Sequence, residues 1–343
     1  MKKKLLITSA LAGVMISGSA FAETKITGSL EYSYSMNSES YTTPAVGGLG
    51  SNDGFGSETQ INIANSGDLN VGGLKYAAGF SIESDTTPDA FENFYIDISN
   101  AGGTTLSLGA DHFQPLDGTV TPRVSIAADS LDPEGGALIS YQDQAGLDLV
   151  ESQGIGISQK LGNVGTVGYW HARRSASAGS STANDNYDTS GNNSGYEINF
   201  KGNLGVDGLT VLLGKSDSKK LNSATVSDTE GRSLGASYNF GKFAVGYTEI
   251  KNEASTGIEI NSDEFGVTFA VNDNLSIGAM YMETETVSAA GVTDPDEEEI
   301  YMIQAGYNMG GIAVAISYAD VQDALAAAGN DHELASIRLL TKF

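Results

Sequence analysis

The sequence predicts an all-β fold, a transmembrane antiparallel β-barrel of about sixteen strands. Three observations carry the expectation. Segments of about 8 to 12 residues alternate apolar and polar side chains, the period of a strand with two unlike faces. The connections between them alternate short and long. The apolar parity ends in aromatic residues, whereas the opposite parity is Ser, Thr, Gly, Asn and charge. With 43 glycines and turn signals every ten residues or so, long helices are disfavoured.

In chain order the candidate strands fall near 25–36, 57–65, 73–84, 91–99, 104–112, 153–161, 164–174 and 194–202, then 208–217, 231–240, 242–251, 262–271, 275–284, 297–308, 312–320 and 333–343. Tight turns follow the even-numbered strands: SGDLNVG, NAGG, GN, NLGVD, Gly241, NDN at 272–274 and the glycines near 310. Longer polar connections follow the odd ones, such as NSESYTTPAVGGLGSNDGFG and SASAGSSTANDNYDTSGNN. Residues 137–142 are a possible extension of the sixth strand.

The faces follow from parity. Phe200, Phe240, Phe269, Tyr307 and Phe343 mark the turn-side ends of the apolar face; Tyr34, Tyr247, Tyr281 and Tyr318 mark the loop-side ends. Between them lie Ile26, Leu106, Val211, Val245, Ile277 and Ile316, the pattern of a lipid-facing band between two aromatic girdles. Glu58-x-Gln60-x-Asn62 and Ser233-x-Gly235-x-Ser237-x-Asn239 share the other parity and imply a wet interior. The closing segment ELASIRLLTKF ends on an apolar ring, which a strand held on both edges explains.

Residues 1–22, MKKKLLITSALAGVMISGSAFA, combine three lysines, an apolar stretch and Ala20-Phe21-Ala22, the pattern of a secretory signal peptide cleaved before Glu23. Its apolar run is too broken for a spanning helix. The remainder, 23–343, shows no linker or change of composition that marks a second domain. It has no cysteine, and its 15 Lys plus Arg against 43 Asp plus Glu leave a net charge of −28. Such a surface repels nucleic acid.

On architecture, signal peptide and C-terminal strand, the mature chain resembles the general diffusion porins of the Gram-negative outer membrane, of the Rhodobacter-like type. The resemblance implies a homotrimer of sixteen-stranded barrels, each pore narrowed by an infolded third loop, and a terminal Phe343 presented to the barrel-assembly machinery. The connection 113–152 fits that loop, since loops of this length are uncommon and often functional. Its acids include Asp117, Asp129, Asp132 and Glu134, and its one base is Arg123. A solvated surface flap is the alternative.

Inward parity assigns Lys25, Lys75, Asp97, Asp111, Lys201 and Arg338 to the pore wall. Acids on the loop facing bases on the wall make a transverse field that favours dipolar solutes. Arg173 and Arg174 sit where strand meets loop, with the parity around Tyr169-Trp170 ambiguous. The histidines His112, His171 and His332 offer no nucleophile–base couple, and Asp331-His332 are neighbours that an extended strand points apart. The string DPDEEE at 294–299 reads as a solvated loop rather than a calcium site. No cofactor or metal motif is present. The expectation is an outer-membrane channel for ions and small hydrophilic solutes, cation-preferring because acids dominate; a mainly adhesive or structural barrel, or a solute-specific porin, is the alternative.

Overall fold

Alternation along each segment sends one row of side chains outward and the next inward, and a closed sheet is the arrangement that leaves no edge unpaired. The computed structural model describes residues 23–41, 54–84, 92–110, 120–124, 153–173, 193–220, 228–287, 297–323 and 330–343. Its strands are β1 (Glu23–Tyr41), β2 (Gly54–Asp68), β3 (Lys75–Ser84), β4 (Glu92–Ser99), β5 (Thr104–Ala110), β6 (Gln153–Lys160), β7 (Gly165–Arg173), β8 (Asn193–Gly202), β9 (Leu209–Lys220), β10 (Thr229–Phe240), β11 (Phe243–Ala254), β12 (Glu259–Ala270), β13 (Leu275–Val287), β14 (Glu298–Asn308), β15 (Ala313–Gln322) and β16 (Asn330–Lys342). Each pairs antiparallel with its sequence neighbours, and β1 pairs with β16 to close the barrel. The sixth strand begins at Gln153, and residues 137–142 lie outside the described residues.

The turns show why one end is tightly built. Phe240 and Phe243 face each other across a two-residue connection whose Gly241 has φ 73°, a conformation that costs glycine little. Asparagine side chains brace other turns by accepting from backbone two or three residues on: Asn272 Oδ1 from Asn274 N (2.9 Å) and Leu275 N (3.0 Å), and Asn308 Oδ1 from Gly310 N (2.8 Å). The β3–β4 register shifts between Gly79 and Ser81. There Gly79 leaves room for the inward Tyr95, whose Cε1 would lie 2.9 Å from an added methyl.

The ends of the chain secure one another. Gly28 N donates to Phe343 O at 2.9 Å, and Phe343 N donates to Gly28 O at 3.0 Å. The Phe343 ring lies over Gly28, where any Cβ would come within 2.5 Å of it. The chain therefore finishes inside a ladder and not as a frayed tail.

Outward parity carries Ile26, Leu30, Leu106, Leu213, Phe240, Tyr247, Ile277, Tyr307 and Ile316. Phe343 is 62% exposed on the same face. Rings stack along the turn-side rim, Phe240 on Phe243 at 5.6 Å and Phe243 on Phe269 at 4.6 Å. Tyr169 is outward and Trp170 inward, which settles the parity that the sequence leaves ambiguous.

The inner face departs from the expected uniform polarity. On β13 to β16 its loop-side half is apolar, with Met280, Met282, Ile300, Met302, Ala319, Val321 and Leu334 forming one buried cluster. On these strands both parities are apolar, as in YMI at 301–303, so alternation alone hides the inner patch. Leu212 of β9 is also inward and fully buried, opposite Gly235.

Candidate functional site

A short part of the long connection between β5 and β6 enters the barrel and lies against its inner wall. Four inward glycines on consecutive strands, Gly235 (β10), Gly246 (β11), Gly266 (β12) and Gly278 (β13), make a shallow trough for residues 120–124. A methyl added at Gly235 would lie 2.5 Å from Val120 Cγ2. One at Gly246 would lie 2.6 Å from Pro122 Cδ, and one at Gly266 would lie 2.5 Å from Thr121 Cγ2. Carbon atoms rarely approach below about 3.5 Å without repulsion, so only the missing side chains permit this seat.

Polar bonds fix the segment in the trough. Val120 N donates to Thr248 Oγ1 at 3.1 Å, and Thr121 Oγ1 lies 2.9 Å from the same hydroxyl. Val124 N donates to Gln304 Oε1 at 3.0 Å, while the Val124 side chain buries against Ala315. Arg123 forms an ion pair with Glu264 of β12, both side chains nearly buried. The base is here on the loop and the acid on the wall, the reverse of the arrangement expected from charge counts. A guanidinium already satisfied by a wall carboxylate contributes little net field to the lumen.

The remaining sequence-picked charges divide by height and by strand. Arg338 is inward on β16, 2% exposed, and pairs with Glu31 of β1. Lys25, Lys75 and Lys201 are also of inward parity, but they sit exposed at the turn-side ends of β1, β3 and β8. Asp97 is inward on β4 with Oδ1 buried. Asp111, Asp117, Asp129, Asp132 and Glu134 lie outside the described residues, as do His112 and Arg174.

Sequence reading left Trp170 unplaced and missed the glycine trough. Trp170 is 2% exposed and stands opposite Glu197 of β8, whose Oε1 accepts from Asn199 Nδ2 at 2.8 Å. The glycine trough had a visible signal, an inward glycine on each of four successive strands. His332 points inward and Asp331 outward, so this adjacent acid and histidine are split by the sheet.

The loop-side rim of β11 to β16 is acidic outside the barrel. Tyr247 donates to Asp263, Tyr281 Oη lies 2.7 Å from Glu283 and 3.1 Å from Glu299, and Tyr301 Oη donates to Glu299 at 3.0 Å. Just before β14, Glu297 shares a hydrogen bond with Glu283. That bond, with desolvation and repulsion from neighbouring carboxylates, holds its carboxyl above the usual range.

Comparison with known proteins fits this geometry. The family model for the Gram-negative porins matches residues 8–320. The chain belongs to the Gram-negative porins. It is a channel protein of the outer membrane, with its tight turns on the periplasmic side and its long loops outside. No match is found among the curated proteins. Among solved structures, this porin is similar to the anion-selective porin of Comamonas acidovorans, at 16% identity and TM-score 0.65, covering 94% of this chain and 100% of that one. It is similar to the trimer form of OmpT from Vibrio cholerae, at 10% identity and TM-score 0.67, covering 94% and 99%. A mutant of the Rh. blastica porin matches at 15% identity and TM-score 0.57, covering 94% and 100%.

Proposed function

We propose that this porin is a water-filled, passive diffusion channel for ions and small hydrophilic solutes, working as a homotrimer after removal of residues 1–22. The observation that carries the reading is the seat of residues 120–124. The segment is laid flat along β10 to β14 by a row of glycines, which narrows the lumen from one wall, while lysines of inward parity on the other strands stay exposed to water. A barrel serving only adhesion needs no such shaped inner wall. The trimer reading draws on the V. cholerae OmpT form of the same fold.

The outward rings Phe200, Phe240, Phe269, Tyr307 and Phe343 then lie at the periplasmic lipid boundary, where aromatic side chains are favoured. Phe343 serves as the residue read by the barrel-assembly machinery. Cation preference follows from charge. The whole chain carries −25, and Asp117, Asp129, Asp132 and Glu134 belong to the same connection as the seated residues. The two wall pairs, Arg123–Glu264 and Arg338–Glu31, are locally neutral and leave those acids in excess.

Planar-bilayer recording of the purified trimer tests the reading. Stable, large conductance steps are expected, with reversal potentials across a KCl gradient favouring K⁺ and a weaker preference when Asp129, Asp132 and Glu134 are neutralised together. Silence from correctly folded protein removes the channel reading in favour of an adhesive or structural barrel. Anion selectivity removes the cation preference alone.

A further inference from the structure

Although the chain carries a net charge of −25, lysines gather at one end of the lumen. Lys25 (β1), Lys75 (β3), Lys160 (β6), Lys201 (β8) and Lys342 (β16) all have inward parity, and each lies within three residues of the periplasmic end of its strand. All five are exposed. Each of the four ion pairs formed among the described residues uses another base: Arg123, Lys215, Lys251 or Arg338. The inward carboxylates at this end are Glu23, Asp68 and Asp97, on β1, β2 and β4. The lysines occupy the arc β16–β1–β8; across the barrel the one further lysine at this end among the described residues is Lys242, in the β10–β11 turn, whose Nζ donates to Val271 O at 2.9 Å.

Height separates this arc from the rest of the wall. Lys342 lies four residues beyond the paired Arg338, about 13 Å along the strand at 3.3 Å per residue. That exceeds a Debye length of about 8 Å in physiological salt, so the arc acts at the mouth rather than at the inner pairs. At the opposite end Glu298 is of inward parity at the loop-side start of β14, and Asp263, Glu283, Glu297 and Glu299 crowd the outside of the same rim.

We propose that the five lysines form a cationic arc at the periplasmic mouth that concentrates small anions there and, set against the acidic outer end, makes the current through the channel depend on its direction. Fixed charges of opposite sign at the two ends of a narrow aqueous path enrich opposite counter-ions at each mouth. One polarity of voltage drives both kinds of ion inward and raises the ion content of the lumen; the other depletes it. The inference rests on the channel reading, and the experiment separates the two.

Single trimers inserted from one side of a planar bilayer are recorded at both polarities in KCl. At 0.1 M, with a Debye length of about 10 Å, the two conductances are expected to differ by about 1.3-fold or more; at 1 M, where it is about 3 Å, the ratio returns to about one. The Lys25→Gln/Lys75→Gln/Lys201→Gln variant loses most of the low-salt asymmetry and becomes more cation-selective. Its folded trimer is checked first by electrophoretic mobility, and single Lys→Gln variants, each with a graded fraction of the effect, replace it if it does not assemble. Symmetric low-salt currents from a channel that conducts at 1 M overturn the arc and leave the channel standing. Unchanged asymmetry in the lysine variants also overturns it, and absence of conductance at every salt overturns both readings.

Discussion

Replacing Gly266 by alanine tests whether the glycine trough is what holds residues 120–124. The new methyl would lie 2.5 Å from Thr121 Cγ2 and 2.7 Å from the Pro122 carbonyl, against a comfortable separation of about 3.5 Å or more. The second contact is backbone, so no side-chain rotation relieves it, and the segment must retreat by about 1 Å. A retreat of that size takes the bonds at 3.1, 2.9 and 3.0 Å past the useful range of a hydrogen bond. At about 0.5–1.5 kcal/mol net for each neutral bond, the seat loses about 2–4 kcal/mol. Hydrogen–deuterium exchange of the Val120 and Val124 amides reads that loss as local opening. At about 1.4 kcal/mol per tenfold change, protection falls by roughly 30- to 700-fold while the barrel ladder keeps its own. Gly311, which has nothing within 4 Å of an added methyl, supplies the control: Gly311→Ala leaves exchange at 120–124 unchanged. Equal protection in Gly266→Ala and the parent, or equal loss in both variants, refutes the trough.

Removing one member of the nearly buried Arg123–Glu264 pair, by Arg123→Met or Glu264→Gln, should cost about 3–5 kcal/mol of seat stability, with the double variant recovering much of it. Additive losses in the same exchange measurement count against a direct pair. Phe343→Ser removes the ring over Gly28, and the folded, heat-modifiable fraction in the outer membrane should drop several-fold while surviving channels keep parental conductance. Full assembly of that variant contradicts an assembly role for the ring.

What was legible in the sequence was local. Period two and turn chemistry placed all sixteen strands within a few residues, because a one-residue slip inverts a face and every outward Ile, Leu or Phe votes on the register. Parity alone also oriented Arg338, Lys25, Lys75 and Lys201. It gave out where both faces of a strand are apolar, around Met280, Met302 and Val321, and where two large aromatics adjoin, at Tyr169-Trp170. The seat of residues 120–124 was illegible for a different reason. Arg123 meets Glu264 and Val124 meets Gln304, separations of 141 and 180 residues that no local pattern encodes. The four glycines were visible as residues but not as a surface, since the surface exists only once β10 to β13 stand side by side.

The seam between β1 and β16 lets the barrel inspect its own completeness. It joins residues as far apart as Ser29 and Lys342, yet loop-closure entropy grows only with the logarithm of length, about 5 kcal/mol for some three hundred residues. Distance along the chain is therefore a mild obstacle. The firm requirement is that every intermediate strand be in register, because only then do Gly28 and Phe343 arrive level enough to exchange both of their backbone bonds. A copy cut short before Asn330 would bring β1 and β15 to the membrane with bare edges, whose unpaired amides and carbonyls lipid does not satisfy. An incomplete barrel thus carries its own rejection mark, and a complete one erases it by closing.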